Sequence, residues 1–293
     1  MRRAPGSRNL PKIVATGHMT LSELRGSRLW RLRHFAFVLL LTFAGASTRG
    51  DLAMETETAR LLEPGHFELG GAFEFQTSPN GEEYALPMAV EFGVFHHLEA
   101  LIEPVPFTSI HPPGSKSATG LGDLETTLTY LIVEEKKYLP AMAIAGEIKF
   151  PTAGNRQIGS GEYDYRVYAV ASKRFSNVDV HFNLGYNIIG APEGASTKNP
   201  IDVELGAEWF VHPKFDLFAE VNYVGSSSSN GGEGTVLAAD TADAGVTREI
   251  AAEELVGSVG VRAHLARHFD TFGSFSYDNN DAKLFRTGVT IKY

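Results

Sequence analysis

Ile201-Asp202-Val203-Glu204-Leu205-Gly206-Ala207-Glu208-Trp209 alternates without a miss. Ile201, Val203, Leu205, Ala207 and Trp209 share one face of an extended chain, and Asp202, Glu204, Gly206 and Glu208 share the other. A period of two marks a strand with different surroundings on its two sides. Beyond His212-Pro213-Lys214 the pattern restarts, with Phe215, Leu217, Ala219, Val221 and Tyr223 opposite Asp216, Phe218, Glu220 and Asn222. Two such runs joined by a tight turn read as a β-hairpin. Each run is about as long as a tilted strand needs to cross a bilayer.

Outward from this hairpin the same pattern recurs. Val180, Phe182, Leu184, Tyr186 and Ile188 oppose Asp179, His181, Asn183, Gly185 and Asn187. The final segment sets Phe285, Thr287, Val289, Ile291 and Tyr293 against Arg286, Gly288, Thr290 and Lys292. Marking all such segments predicts twelve strands, at 66–77, 84–95, 98–108, 121–133, 140–151, 162–174, 178–190, 201–211, 215–226, 254–266, 269–278 and 283–293. Pro87, Pro104 and Pro106 interrupt the second and third, where a missing ladder donor predicts a bulge or a local gap.

The connections alternate in kind. Phe95-His96-His97, Glu135-Lys136-Lys137, Phe175-Ser176-Asn177, His212-Pro213-Lys214 and Arg267-His268 are tight; 78–83, 109–120, 152–161, 191–200, 227–253 and 279–282 are looser and rich in Gly, Pro, Ser and Asn. Short turns at one end and longer loops at the other are the pattern of an outer-membrane barrel. An even strand count puts both termini on the short-turn, periplasmic side. Similar starts after tight turns, as in His97-Leu98-Glu99-Ala100 and Lys214-Phe215-Asp216-Leu217, fit a repeated hairpin.

A soluble sandwich or lipocalin-like barrel would show the same alternation. Three features favour the membrane. A twelve-stranded barrel is too wide for inward apolar side chains to fill. The polar faces mix acids with Gly, Ala, Ser and Thr, which suits a lumen. Aromatic residues gather at strand ends on the apolar face: Phe67, Phe92, Trp209, Phe215 and Tyr293 at one level, and Phe75, Tyr84, Phe150, Tyr165, Tyr186 and Tyr223 at the other. Such girdles mark the two interfaces of a membrane. The terminal Tyr293, ending an alternating strand, suits recognition by the outer-membrane assembly machinery. The expected fold class is therefore all-β: a twelve-stranded antiparallel transmembrane barrel of the bacterial outer membrane, following a cleaved signal peptide.

The N-terminus supplies that signal. Arg28, Arg31 and Arg33 precede the apolar run Phe35–Phe43, and Ala44-Gly45-Ala46 follows. This is the order of a secretory leader, and the run is too short to span a bilayer as a helix. The domain expectation is a leader at 1–46 with Met19 as an alternative start, a periplasmic segment at 47–65 and the barrel at 66–293. Of 26 Lys/Arg and 35 Asp/Glu, nine bases and two acids lie in 1–53, leaving 17 and 33 in the body. Such an acidic body argues against a nucleic-acid partner. With no Cys there is no disulfide framework and no thiol nucleophile.

The middle of the chain carries Gly120-Leu121-Gly122-Asp123-Leu124, Tyr130-Leu131, Pro140-Ala141-Met142-Ala143, Glu147-Ile148-Lys149-Phe150-Pro151-Thr152-Ala153-Gly154 and Ile158-Gly159-Ser160-Gly161. This resembles the outer-membrane family named for a meta-pathway of phenol degradation, most densely over 120–190. Ala153, between Thr152 and Gly154, departs from the family's Pro-Thr-Gly turn and lengthens it. The resemblance implies a transporter-like channel for small, often aromatic, organic compounds. Read on its own, Gly120-x-Gly122 is the start of a strand, since a nucleotide-binding Gly-rich loop needs a following helix.

The polar faces predict the lumen. They hold Glu68, Glu74, Glu91, Glu99, Glu103, Asp123, Glu125, Glu147, Asp179, Asp202, Glu204, Glu208, Asp216 and Glu220 against Lys149, Arg166, Arg262, Arg286 and Lys292. The candidate pore-lining set is Asp123, Glu125, Glu147, Lys149, Arg166, Asp179, Asp202, Glu204, Glu208, Glu220, Arg262 and Arg286. Acidic rings favour cations; the same residues could instead serve as a pairing network within the wall. The leading expectation is a channel for passive or facilitated uptake of small solutes, with membrane lipid as its other partner. A structural or surface-interaction protein working through the acidic 227–253 loop is the alternative. A lipid hydrolase needs Ser, His and an acid at the lipid rim, and no such set assembles: His96, His97, His212 and His268 fall in turns, His66 at the first strand, His111 outside, and only His181 and His264 in the lumen. No cofactor, metal or catalytic residue is expected.

Overall fold

The computed structural model describes residues 51–191, 197–227, 237–239, 247–249 and 253–293. The leader, most of the 227–253 loop and the tip of the 191–200 loop lie outside them. No helix among the described residues is long and apolar enough to cross a membrane, so any crossing falls to strands.

The strands are β1 (Phe67–Ser78), β2 (Gly81–Ala85), β3 (Met88–Phe95), β4 (Leu98–Pro104), β5 (Thr108–His111), β6 (Ala118–Gly120), β7 (Leu124–Val133), β8 (Ala141–Phe150), β9 (Asp164–Phe175), β10 (Val178–Ile188), β11 (Ile201–His212), β12 (Phe215–Val224), β13 (Leu237–Ala239), β14 (Thr247–Glu249), β15 (Glu254–Ala266), β16 (Phe269–Asp278) and β17 (Lys283–Lys292). β13 and β14 form a small separate ladder within the longest loop. The rest make one antiparallel sheet, closed where β1 pairs with β17 from Glu68↔Lys292 to Thr77↔Lys283. Closure leaves no edge between first and last strands.

Twelve staves result because three of them are split. The predicted strands 84–95, 98–108 and 121–133 each correspond to two offset pieces, β2 with β3, β4 with β5, and β6 with β7; β2 begins within 78–83 and β5 and β6 fall almost wholly within 109–120, both expected to be loops. The breaks fall at Leu86-Pro87, at Val105-Pro106-Phe107 and at Leu121-Gly122-Asp123. Proline cannot donate to a ladder, so pairing changes partner across it. Near the short turns the order is β1-β3-β4-β7; near the long loops it is β1-β2-β5-β6. Hydrogen bonds across the breaks, Leu86 N–H to Phe107 O at 3.0 Å and Gly122 N–H to Val105 O at 2.9 Å, keep the pieces in one wall.

The tight connections are those predicted, except that Glu135-Lys136-Lys137 belongs to a longer turn in which Lys136 and Leu139 exchange backbone hydrogen bonds of 2.9 and 3.2 Å. His97 and Ser176 adopt positive φ, 68° and 58°, to close two of the tightest turns.

The faces are inverted relative to a soluble protein. Leu128 (57 % exposed), Val259 (58 %) and Leu205 (51 %) point outward, whereas Asp179 and Asn183 are fully buried. Along β12, Asp216, Phe218, Glu220 and Asn222 are buried while Phe215, Leu217, Ala219, Val221 and Tyr223 are exposed. An apolar exterior around a charged interior is stable only where hydrocarbon replaces water outside. At the short-turn end Phe67 and Tyr293 stack at 5.0 Å; near the other end Phe75 meets Tyr84, and Phe275 meets Phe285, both at 4.9 Å.

One expectation is corrected. The sequence predicts a periplasmic segment over 47–65, but within the described part residues 52–62 are wholly or partly buried inside the barrel and only 63–65 are exposed. Ala53, Met54, Thr56, Thr58 and Ala59 are buried there. Leu52, Ala53 and Met54 seat on Ala72, Phe218 and Phe272, and Ala59 seats on a patch made by Ala141, Ala143, Ala145, Tyr168 and Val170. The physical reason is mutual satisfaction: a wide lumen offers small apolar patches and hydrogen-bond acceptors, and this segment covers both.

Candidate functional site

The inward positions of the strands create the site. Strict alternation on β8 to β12 brings the polar residues of neighbouring staves into lateral rows. All twelve candidate lumen residues are buried on the inner side of the wall, and they sort into four groups.

Arg166 on β9 organises the first group. Its guanidinium meets Asp202 at 3.2 and 2.6 Å, Glu204 at 2.5 Å and Glu147 at 3.8 Å. Asn183 donates to Glu204 at 2.8 Å and Asn187 donates to Asp202 at 2.6 Å. The guanidinium also lies over the Tyr168 ring, 4.2 Å from its centroid. Three carboxylates around one buried cation need these amide donors to remain satisfied.

Lys149 and Asp164 form the second group as a buried ion pair, and Glu125 stands across the ladder from Lys149. Asp123 lies at the break before β7, where its carboxylate accepts the Ala153 N–H at 2.8 Å. The third group is at the short-turn end. Arg262 pairs with Glu208 at 2.8 Å, and His264 sits between Asp216 (2.7 Å) and Asp270 (3.0 Å), with Lys292 at 2.6 Å from Asp270.

The fourth group involves the inner segment. Arg286 binds Glu74 at 2.6 Å and lies 3.7 Å from Glu55. The Glu220 carboxylate accepts the backbone N–H of Glu55 and of Thr56, each at 3.0 Å, and the Thr56 hydroxyl at 3.0 Å. Asn222 donates to Glu55 at 2.9 Å. Farther along, Ala59 N–H donates to the Ser172 hydroxyl at 2.8 Å and Leu62 N–H to Glu99 at 2.5 Å. Arg60 forks onto Asp179 at 2.9 and 3.0 Å and also pairs with Glu135 in the turn before β8.

Arg60 and Glu135 lie outside the membrane-spanning strands. Burial works against the Arg60 cation, but Asp179 and Glu135 outweigh it and raise its pKa above the ordinary value. Burial likewise pushes Glu135 up; Lys173, the Arg174 N–H and Arg60 outweigh that and hold it below the usual carboxylate range.

The residues missed from sequence are thus Glu55, Thr56, Ala59, Arg60 and Leu62, with their receivers Ser172 and Asn222. No period-two pattern runs through 51–65; its one visible signal is Arg60 close behind Glu55 and Glu57. Among the described residues no group of three His, Cys, Asp or Glu is arranged to hold a metal. Ser172 lies 2.9 Å from His181 Nδ1, but both face the lumen beneath the inner segment, away from the lipid rim.

The wall has one further irregularity. Among the described residues β6 pairs only with β5, so the ladder stops between β6 and the upper part of β8. The 151–163 loop covers this seam: Ile158 (1 % exposed) packs on Ile110 and Ala118, and the Thr152 hydroxyl donates to Gly122 O at 3.1 Å.

Solved structures share this architecture. The COG4313 outer membrane channel from Pseudomonas putida F1 aligns with a TM-score of 0.55 at 12% identity, over 85% of this chain and 100% of that one. The NanC porin aligns at 0.55 and 11% identity, over 77% and 100%. A KdgM porin solved with disordered oligogalacturonate aligns at 0.51 and 8% identity, over 77% and 99%. At such identities the likeness is one of fold. No curated protein matches the chain. The family profile described as "Putative MetA-pathway of phenol degradation" matches residues 42–251, which takes in the inner segment and the staves through β12. With its outward apolar belt, its closed ladder of twelve staves and this match, the chain is an outer-membrane β-barrel and belongs to that family.

Proposed function

We propose that the barrel is a channel for small solutes, held closed by residues 51–63. The observation that carries this is the inner segment itself: it crosses a charged lumen and takes its hydrogen bonds from side chains on β4, β9, β10 and β12 rather than from a continuous ladder. A segment held by side chains leaves without opening the wall. The acid surplus of the lining favours cations once it moves. The KdgM and NanC neighbours support a porin-like reading, and the family description supports an organic solute. The 227–253 loop remains the surface for the alternative, a binding role outside the membrane.

Planar-bilayer recording under a salt gradient tests the channel. Full-length protein is expected to open rarely, and Arg60→Ala to open more often, with cation selectivity. Glu204→Gln with Glu208→Gln is expected to lower that selectivity. A folded barrel silent with and without Arg60 would sink the reading.

The seam supports a second route. An apolar solute could leave sideways where Ile158 stands in for a missing ladder. Its mark would be uptake of an apolar dye that rises when Ile158 is shortened, at unchanged ionic conductance.

A further inference from the structure

The lumen holds 51–63 in a particular way. Four of the bonds to it read main-chain N–H groups, those of Glu55, Thr56, Ala59 and Leu62, through the acceptors Glu220, Ser172 and Glu99. Such bonds are indifferent to the side chains of the bound strand. The wall is also cut away to admit a main chain. A Cβ on Gly93 would lie 2.3 Å from the Glu63 carbonyl oxygen and 2.6 Å from that of Leu62, while one on Gly206 would meet side chains, the Met54 Cε at 2.6 Å and the Thr56 Cβ at 2.9 Å. One side chain is read by charge. Asp179, fully buried, takes the Arg60 guanidinium in a two-bond fork, and Glu135 takes it from the other side. Arg174 and Lys173 share these two acids and fix their positions.

Acceptors for main-chain N–H groups, clearance for a backbone and a guanidinium fork together describe a receptor for an extended peptide. We propose that the lumen is a binding site for short, extended, arginine-bearing peptides, and that residues 51–63 are its tethered occupant. This rests on the channel reading only for passage; binding stands apart from it. The tether gives the inner segment a high local concentration, so a free peptide enters when that segment is removed or weakened. A solute of this class competes with the inner segment for one site, with the guanidinium fork as the point of selection.

The probe is a fluorescein-labelled synthetic peptide with the sequence of residues 51–63, and a second carrying Arg60→Ala. They are titrated onto two detergent-folded barrels, one lacking 51–63 and one full-length with Arg60→Ala, so that a deletion that fails to fold leaves the other. Fluorescence anisotropy is expected to show saturable binding of the arginine peptide. The alanine peptide is expected to bind about tenfold or more weakly, the cost of losing a charge-assisted fork. Adding Asp179→Asn to the barrel is expected to bring the two peptides together. Equal binding of both peptides to the unaltered fork, or no binding of either to any folded barrel, overturns the proposal. Bilayer currents separate the two ideas: a barrel that selects the arginine peptide but never conducts overturns the channel and keeps the site. One that conducts and binds neither peptide does the reverse.

Discussion

The two sides of the barrel wall are built to different rules. From β8 through β12 each stave is a single strand, and β8 and β12 alternate buried and exposed residues almost end to end. From β2 through β7 every stave is broken, and runs of three buried residues appear, Glu99-Ala100-Leu101 and Thr108-Ser109-Ile110. On the regular side a residue meets either lumen or lipid. On the broken side further environments exist: the loop 151–163 covers Ile110 through Ile158, and the inner segment reaches Glu99 through the Leu62 N–H. The regular side draws its order from buried charge, and the broken side from a small apolar contact.

Removing Arg166 is expected to do the most damage to the regular side. Arg166→Ala leaves Asp202, Glu204 and Glu147 crowded in one buried place, which costs about 3–5 kcal/mol. The urea midpoint for loss of the compact, heat-modifiable form should fall accordingly; an unchanged midpoint would mean that this network does not hold the wall. On the broken side, Ile158→Ala is expected to cost about 2–4 kcal/mol, felt in the loop and not in the whole barrel. Proteolysis within 151–163 should quicken while the global midpoint moves less than for Arg166→Ala. Equal global shifts would erase the distinction between the sides.

The smallest effect concerns the Arg60–Glu135 ion pair at the short-turn end. The Glu135 pKa is lower in the folded protein than in the unfolded chain. Its hold on Arg60 is therefore complete above the ordinary glutamate value, about pH 4.3, and is lost as pH falls through the lower folded value. Open probability should rise on acidification through that window, and Glu135→Gln should flatten the response. A pH profile identical in the two proteins would remove Glu135 from the latch.

The staves and the direction of their side chains were legible because hydrophobic periodicity records surroundings directly. Asp202, Glu204 and Glu208 could be placed inward from their own strand alone. Pro87, Pro104 and Pro106 announced trouble in the early strands, but the repair comes from Ile158, some fifty residues later, and local pattern does not record that. The inner segment was hidden for a related reason. Residues 51–65 form no ladder, so their position is set by distant acceptors such as Glu220, and an irregular stretch before the first strand looks the same inside the lumen or outside it.

The pairing of β1 with β17 sets an order of events. Glu68 and Lys292 are neighbours in space but stand at opposite ends of the barrel sequence. Contacts so far apart in the chain carry the heaviest closure entropy and form late. Until they form, β1 and β17 are raw edges, open to pairing with another chain. The inner segment is attached directly to β1, so it has to be in place before, or as, the last seam zips. Biogenesis therefore has a deadline: an inner segment that misses it faces a wall already closed by β1 and β17.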